Sequence, residues 1–545
     1  MTTPTADLSF DPCDPYFPVP GGGPARWAVQ VFTHDNGHGV DPDSAEVSTP
    51  DERTVRMCAG RYARLGQQVT GAAGEVDVVV RRDARTLTFQ VNASHPESIK
   101  SVKLLLRGLP RTALQAGWWS PTTPRGATTV GRFQWTYPGP EWATRWAAAG
   151  EGPDSVALSV RDPGVHATAL HVSEPPYAGE PITEVVLAAP AHERTQRYQA
   201  PPVQVTFTDD TAGLDAALDD HLRFVESAHG LVAWEERVDT PDWLDDVALV
   251  VALHGQHWTG HIFNTFDQMA HALKFVADHV DPSRVLAYLP GWEGRYYHSY
   301  PHYRPGPDLG GDTGFARLVE TAHGLGFHLM PMFGAHGANV SRYAQWHEAA
   351  IRNDTNRYVD LVNRPDWDGD RFGEGDQVFL NPGEPGFGRH LTDSISAIVT
   401  EFGVDAAFLD TAGFWFNDPR HPLFSGFRTL AATLRRRHPN LLLAAEGWWD
   451  AMLALFPLSQ QWLGWSRDFR APRTLTRYAR TTGHLAEGAP GPGSTGVHEQ
   501  GFRPRPAQHP LPGHIAQVSF AERTLAEYRD EIAEICRRAD GRIRV

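Results

Sequence analysis

Short runs of alternating apolar and β-branched residues fill the chain between Val76 and about Asp210. The runs read VDVVV, TLTFQVNA, SVKLLL, SVALSV, HATALHV, ITEVVLAA and VQVTFT, and Pro, Gly and Asp residues separate them. Alternation with a period of two is the pattern of strands that bury one face, and frequent turn residues are typical of all-β domains. This part of the chain therefore predicts a β-sandwich.

A helical pattern follows the strand-like region, and beyond it the spacing of the apolar residues changes. The stretch LDAALDDHLRFVESAHG, from Leu214 to Gly230, has helical spacing of its apolar residues, and VDTPDW reads as a linker interrupted by Pro241. We therefore expect a domain boundary near residue 240. An N-terminal β-sandwich domain with its linking helix would occupy residues 1–240, and a second domain would occupy residues 241–545.

Beyond the linker, buried strand-like runs alternate with segments of helical period. The runs are DVALVVALHG, RVLAYLPGW, FHLMPMFGAHG, DAAFLDTAGF, LLLAAEGWW, a weaker WLGWS, GSTGVHEQGF and HIAQVSF. Such alternation implies right-handed crossovers and a parallel sheet, and eight repeats predict a (β/α)8 TIM barrel. A doubly wound open sheet is the alternative, but the first run ends in HGQHW, where a dinucleotide-binding fold has a GxGxxG turn.

The composition narrows the classes of partner. Lys and Arg number 49 against 65 Asp and Glu, and the resulting net charge of -16 disfavours binding to nucleic acid phosphates. The amino terminus lacks the basic and apolar regions of a signal peptide, and no apolar run is long enough to cross a membrane. We therefore expect a cytoplasmic protein that contacts neither nucleic acid nor a membrane. The 17 Trp residues favour stacking on sugar rings, although indoles also pack in large cores.

Two carboxylates end neighbouring strands of the predicted barrel. The fourth run, AAFLD, ends at Asp410, and the fifth, LLLAAE, ends at Glu446. Active sites of TIM barrels lie at the carboxyl ends of the strands, so these side chains can face one another. Each could instead be a helix cap or an ion-pair partner, but a facing pair is what cleavage of a glycosidic bond requires. We predict Asp410 as the nucleophile and Glu446, beside the apolar Trp448 and Trp449, as the acid and base.

The same two motifs resemble a known group of enzymes. VDAAFLDTAG and LLLAAEGWWD, whose carboxylates are 36 residues apart, are similar to the α-amylase superfamily and its distant relatives, including the endo-α-N-acetylgalactosaminidase group. The resemblance implies a retaining glycosidase with Asp410 as nucleophile and Glu446 as acid/base. It also implies that His498 and Glu499, in GVHEQ, grip substrate hydroxyls after strand seven. Phe408 and Glu499 stand where amylase-type enzymes have Arg and Asp, so the resemblance carries the mechanism and leaves the substrate open.

Aromatic, acidic and histidine residues at other strand ends are further candidates for substrate binding. They are Trp292 and Glu293 after strand two, His336 after strand three, Trp415 after strand four and Trp448 after strand five. Packing within a loop or the core is the alternative for each of them. His254 and His257 follow strand one, but their HxxH spacing lacks the Glu of a zincin, so we expect no metal ligands there.

An acidic segment lies between strands three and four. In RPDWDGDRFGEGDQ, Asp366, Asp368 and Asp370 alternate as the ligands of calcium loops do. Arg371 occupies the place of the turn-forming Gly, and Gln377 occupies that of the bidentate Glu. We therefore expect a solvated acidic loop and no cofactor, and structural calcium is the alternative.

These observations favour a retaining glycoside hydrolase that acts on an α-linked sugar in a small carbohydrate or glycoside. Two alternatives remain open. A non-catalytic carbohydrate-binding protein would use the Trp residues alone, and it would have no need for two facing acids. A transglycosidase would use the same carboxylates with a sugar in place of water as the acceptor. The sequence does not distinguish water from sugar as the attacking group, and it does not indicate the oligomeric state.

Overall fold

The computed structural model describes two compact units. The described residues are 15–65, 69–109, 115–116, 133–139, 142–150, 155–173, 180–189, 195–257, 260–294, 299–339, 344–352, 377–418, 420–460, 473–484, 486–487, 503–504, 514–521 and 523–541. The first unit comprises Met1–Leu231 and Trp449–Ala451, and the second comprises Val232–Trp448 and Met452–Val545. The position near residue 240, where we expected a boundary, falls inside the second unit.

The first unit is built on a large antiparallel sheet. The 16 strands in its described residues belong to one hydrogen-bonded sheet, in which the longest pairings join Thr54–Arg64 to Val69–Asp83 and Val69–Asp83 to Thr86–Ser94. The strands are β1 Phe17–Pro18, β2 Arg26–Thr33, β3 Gly37–Val40, β4 Ala45–Asp51, β5 Thr54–Arg64, β6 Val69–Asp83, β7 Thr86–Ser94, β8 Ile99–Arg107, β9 Gln115–Ala116, β10 Phe133–Tyr137, β11 Trp146–Ala149, β12 Ser155–Val160, β13 Thr168–Ser173, β14 Ile182–Ala188, β15 Arg197–Gln199 and β16 Val203–Thr208.

The alternation seen in the sequence matches the burial of these strands. In β7, every second residue is buried and the others are half-buried, so one face packs on the core. The strands β2 to β5 precede Val76, where the sequence pattern did not predict them. Because β5 carries Arg56 and Arg61 on its exposed side, its apolar positions do not form a continuous run. The unit ends in the helix α1, Thr211–His229, which Asp210 caps at its start and Gly230 at its end.

The second unit contains a closed barrel of eight parallel strands. The strand at His514–Phe520 pairs with the strand at Leu249–Leu253 and so closes the circle. The barrel strands are β17 Leu249–Leu253, β18 Val285–Leu289, β19 His328–Gly334, β22 Ala406–Asp410, β23 Leu442–Glu446, β24 Leu458–Gln460, β25 Arg480–His484 and β28 His514–Phe520. Outside the barrel, the described part of this unit has two short pairs, β20 Gly337–Asn339 with β21 Gln377–Phe379 and β26 Ala486–Glu487 with β27 Arg503–Pro504.

Helices follow several of the barrel strands, and the longer helices bury one face each. The helices are α2 Phe266–Ala277, α3 Gly311–Leu325, α4 Pro385–Phe402, α5 Leu423–Arg437, α6 Arg473–Thr476, α7 Thr524–Glu527 and α8 Arg529–Ala539. Thr265 and Gln268 form a capping box at the start of α2, and Glu384 caps α4 ahead of a Pro at its first position. Among the described helices, none is both long enough and apolar enough to cross a membrane.

Alternate residues of the barrel strands face the lumen. The hydroxyl of Tyr288 on β18 donates to Sδ of Met332 on β19 over 3.1 Å. The Tyr288 ring also packs against Phe408 on β22, a strand that does not pair with β18, with the ring centres 4.7 Å apart. A contact between unpaired strands crosses the lumen, so Phe408 points inward. Asp410, two residues later, points inward as well and lies at the carboxyl end of β22.

The sixth and seventh barrel strands differ from the prediction. We predicted WLGWS and GSTGVHEQGF as these strands, but the barrel uses Leu458–Gln460 and Arg480–His484. The second of these, RTTGH, has no apolar run. Thr481 and Thr482 are nevertheless buried, because this side of the barrel is packed with polar side chains. A search of the sequence for apolar runs therefore misses the strand Arg480–His484.

Candidate active site

Asp410 and Glu446 end adjacent strands of the barrel. The strands β22 and β23 pair in parallel, with Leu409 opposite Ala445, so the two carboxylates lie at the same level and on the lumen side. Both residues are buried, and each is only 5% exposed. The side chains approach closely enough to share a hydrogen bond. The expected juxtaposition of these two residues at the carboxyl end of the barrel is therefore present.

The protonation of this pair differs between its members. Burial raises the pKa of Glu446 well above its ordinary value, and the negative charge of Asp410 raises it further. The hydrogen bond from the backbone of Thr411 opposes this effect. Two carboxyl groups in contact cannot both be ionised at little cost, so Glu446 holds the proton and Asp410 carries the charge. A protonated acid beside a carboxylate can protonate one atom of a bound molecule while the carboxylate attacks another.

The loop after Asp410 holds Glu446 in place. The backbone N–H of Thr411 donates to Oε2 of Glu446 over 2.8 Å, and the N–H of Gly413 donates to the Glu446 carbonyl over 2.7 Å. Thr411 has a φ of 61°, which is rare for a β-branched residue and costs about 1–3 kcal/mol. Sequence reasoning did not find this residue, because a backbone angle leaves no mark in the pattern of side chains.

A third buried carboxyl group, that of Glu293, lies near the pair. Burial raises the pKa of Glu293 to about 8, and the charge of Asp410 adds to the shift. The Tyr300 ring packs against Gly334, the register partner of Asp410, and a Cβ at Gly334 would lie 2.3 Å from that ring. Only glycine fits there, so Gly334 lets Tyr300 reach the site. Glu293 is therefore a neutral acid at pH 7, next to the two proposed catalytic groups.

Trp292, which we expected to line a sugar subsite, lies in the core. The residue is completely buried, and its indole N–H donates to the Met332 carbonyl over 2.7 Å. Its ring packs against Phe315 and Phe333, with ring centres 5.0 and 5.6 Å away. These contacts are typical of a core residue.

His336 lies among aromatic rings behind the site. It is completely buried between Phe379, Phe416 and Phe427, and its Nδ1 donates to the Leu380 carbonyl over 3.1 Å. Burial lowers the pKa of His336 to about 4, although backbone hydrogen bonds oppose the shift. The imidazole is therefore neutral at pH 7 and anchors the loop at Leu380.

The other two Trp candidates differ in exposure. Trp415 is half-buried, in the loop from Thr411 to Asp418 that follows β22. This loop is fastened at its far end, where the Asp418 carboxylate accepts hydrogen bonds from Asn381 and Arg420. Trp448 is buried, only 3% exposed, two residues after Glu446. Trp415 thus keeps some exposed surface in the loop after Asp410, whereas Trp448 is enclosed by the protein.

The remaining candidates are histidines and residues outside the described ranges. His254 and His257 are buried at and beyond the end of β17. Within the described ranges, no three His, Cys, Asp or Glu residues are grouped as metal ligands would be. Five predicted residues lie outside the described residues: His498, Glu499, Asp366, Asp368 and Asp370. In the sequence, His498 and Glu499 come between β25 and β28, and their proposed contact with substrate hydroxyls stays a prediction.

Comparisons with known proteins give a likeness of fold. The ligand-free α-N-acetylgalactosaminidase NagBb from Bifidobacterium bifidum is similar with a TM-score of 0.69 and 13% sequence identity, covering 99% of this chain and 92% of that one. The galactosidase domain of the α-galactosidase-sucrose kinase AgaSK is similar with a TM-score of 0.51 and 12% identity, covering 95% of this chain and 72% of that one. No protein-family model and no curated protein sequence matches. The chain thus shares its fold with α-glycosidases, and the resemblance to the α-amylase superfamily and the endo-α-N-acetylgalactosaminidase group stays a prediction.

Proposed function

We propose that this protein is a retaining α-glycosidase that hydrolyses neutral α-linked sugars of the galactose type, either α-galactosides or α-N-acetylgalactosaminides. The observation that carries the proposal is the contact between Asp410 and Glu446 at the carboxyl ends of adjacent barrel strands. The choice of sugar is supported by the likeness of the fold to an α-N-acetylgalactosaminidase and to an α-galactosidase domain. The partner is therefore a small carbohydrate.

The first half of the reaction uses both carboxyl groups at once. Asp410 attacks the anomeric carbon while Glu446 donates its proton to the glycosidic oxygen, and the bond between that oxygen and the anomeric carbon breaks. The sugar is left on Asp410 as a glycosyl ester, and the leaving group departs as an alcohol. The raised pKa of Glu446 keeps the proton available near neutral pH.

The second half reverses these roles. Glu446, now ionised, takes a proton from water, and the water oxygen attacks the anomeric carbon. At the same time the bond between the anomeric carbon and the Asp410 carboxylate breaks. Two inversions restore the original α configuration. Retaining enzymes hold their carboxyl groups about 5–5.5 Å apart, whereas inverting enzymes need about 6.5–9.5 Å to admit a water. The close approach of Asp410 and Glu446 favours the retaining course.

Activity would be measured on nitrophenyl α- and β-glycosides of galactose, N-acetylgalactosamine and glucose. We expect turnover of an α-galactoside or an α-N-acetylgalactosaminide, with the α-anomer as the first product in NMR spectra. Asp410→Asn should lower kcat/KM on these substrates by about a thousandfold or more, and Glu446→Gln should do so on an α-glycoside with a poor, alkyl leaving group, whose departure depends on the acid. The control Glu320→Gln, an exposed residue of α3, should leave it unchanged.

Azide distinguishes the two roles. In Asp410→Ala, azide replaces the missing nucleophile and should give the β-glycosyl azide by a single inversion. In Glu446→Ala, azide attacks the glycosyl-enzyme in place of water and should give the α-glycosyl azide. If Asp410→Ala gave the α-glycosyl azide and Glu446→Ala the β-glycosyl azide, then Glu446 would be the nucleophile and Asp410 the acid and base. Full activity of both Asp410→Asn and Glu446→Gln would exclude the mechanism.

A further inference from the structure

The ring of polar side chains at the barrel mouth continues beyond Glu446. In the parallel register, Glu446 pairs with Gln460 on β24, and Gln460 pairs with Thr482 on β25. Register partners point to the same side of a sheet, so all three side chains face the lumen. The contact of Gln460 with Gln517 on β28, a strand that does not pair with β24, agrees with this orientation. Two uncharged polar residues therefore extend the site on the side of Glu446.

These two side chains are buried with unused hydrogen-bonding capacity. Gln460 is 3% exposed and Thr482 is 4% exposed. Within the described part of the chain, Oε1 of Gln460 and Oγ1 of Thr482 have no hydrogen-bond partner. Among the described residues, the Gln460 amide is held by a 3.4 Å hydrogen bond from its Nε2 to Oε1 of Gln517. An unsatisfied buried polar atom lowers the stability of the folded state by about 1–3 kcal/mol. This pair of atoms therefore suits a ligand that forms hydrogen bonds with them.

The hydrogen-bonding chemistry of Gln460 and Thr482 limits which ligands can bind to them. The carboxamide oxygen of Gln460 only accepts hydrogen bonds, and the Thr482 hydroxyl can accept or donate. The ligand must therefore have an O–H or N–H group that donates a hydrogen bond to Gln460. Anionic groups are disfavoured, because Asp410 carries a charge nearby and neither Gln460 nor Thr482 can neutralise a second one. A neutral sugar meets both conditions through a hydroxyl or through the N–H of an acetamido group.

We propose that Gln460 and Thr482 form a subsite that binds a hydrogen-bond donor of a neutral sugar beside Glu446, and that the two residues set sugar specificity. This inference deepens the proposed function and rests on it for the identity of the ligand. It assigns a role to strands that the sequence pattern did not identify. A hydroxyl and an acetamido N–H share the required chemistry, and the choice of test sugar distinguishes them.

The test uses isosteric variants of the full-length chain. Gln460→Met and Thr482→Val remove the polar atoms and keep the volume. Ser459→Ala is the matched control, because Ser459 is also a buried hydroxyl without a partner in the described residues, but it points away from the lumen. Calorimetry would measure binding of galactose and of N-acetylgalactosamine, and kinetics would measure kcat and KM on the two matching nitrophenyl α-glycosides.

We expect Gln460→Met and Thr482→Val to weaken binding by about fivefold to thirtyfold, with the loss in KM exceeding the loss in kcat. Ser459→Ala should bind as the wild type does. A larger loss for N-acetylgalactosamine would assign the acetamido N–H to the subsite, and a larger loss for galactose would assign a hydroxyl. Unchanged affinities in folded variants would overturn the inference and indicate an internal water. Failure of the wild type to hydrolyse any glycoside would instead reject the proposed function, and sugar binding would still test the subsite.

Discussion

The backbone N–H of Thr411 lies 2.8 Å from Oε2 of Glu446 and donates a hydrogen bond to it, although Thr411 adopts a φ of 61° to do so. The residue that follows one proposed catalytic carboxyl thus orients the other. A left-handed backbone at a β-branched residue is unfavourable by about 1–3 kcal/mol. Its presence between Asp410 and Gly413 indicates that the surrounding loop imposes this conformation on Thr411.

Thr411 is expected to tolerate glycine better than valine. Thr411→Gly keeps the N–H and adopts positive φ without strain, and this relief offsets the loss of the hydrogen bond from Oγ1 to the Asp410 carbonyl, so the free energy of unfolding should change by less than about 1 kcal/mol. Thr411→Val keeps the strain and loses the hydrogen bond from Oγ1 to the Asp410 carbonyl, so stability should fall by about 1–2 kcal/mol. Urea titrations of both variants test this order. Greater stability of the valine variant would show that the backbone angle is not the constraint.

The proposed catalytic pair was predictable, because its signal lies in the order of residue types. Asp410 and Glu446 each end an apolar run, and parallel strands bring such ends together. Gln460 ends a strand of only three residues, and Thr482 lies in the polar segment RTTGH, so neither follows a recognisable run. Trp292 and Glu293 are adjacent in the sequence, but one is packed in the core and the other lies beside Asp410. A pattern of residue types does not predict on which side of a turn each side chain lies.

Glu293 should make stability depend on pH. Its pKa is raised from 4.5 to about 8, so the unfolded chain loses this proton at a lower pH than the folded chain does. Between these values the folded state binds more protons, and the free energy of unfolding therefore falls as pH rises from about 4.5 to about 8. We expect Glu293→Gln to make this decline shallower, as measured by urea titrations at several pH values.

The raised pKa of Glu446 acts in the same direction, so some decline should persist in Glu293→Gln. The exposed Glu320→Gln serves as the control and should keep the wild-type slope. An equal slope in wild type and Glu293→Gln would mean that Glu293 ionises with similar ease in both states.

Activity is expected to survive removal of metal ions. Two carboxyl groups supply both the nucleophile and the proton, and the mechanism has no step that requires a Lewis acid. EDTA should therefore leave kcat/KM within about twofold of its original value. Loss of activity that zinc restores, with the melting temperature unchanged, would contradict the two-carboxylate mechanism. A melting temperature that rises with added calcium would support the alternative of a structural ion at Asp366, Asp368 and Asp370.

The pH dependence of kcat/KM tests the coupling between the two proposed catalytic groups. The basic limb of the profile reports loss of the proton from the general acid, which we propose to be Glu446. Asp410 raises the pKa of Glu446 through its charge and through their hydrogen bond. Replacing Asp410 by Ala removes both effects, so the pKa of Glu446 should fall, although burial keeps it above its ordinary value.

The measurement uses Asp410→Ala supplied with azide and a nitrophenyl-free α-glycoside, because a poor leaving group makes the rate depend on the acid. We expect the basic limb to move to lower pH than in the wild type, since Glu446 now loses its proton more easily. Glu446→Gln should lack this limb altogether. Glu293→Gln is the necessary control, because the pKa of Glu293 is raised to about 8 and its ionisation falls in the same range. If the limb disappears in Glu293→Gln and stays in Glu446→Gln, then Glu293 is the general acid and Glu446 serves to hold Asp410.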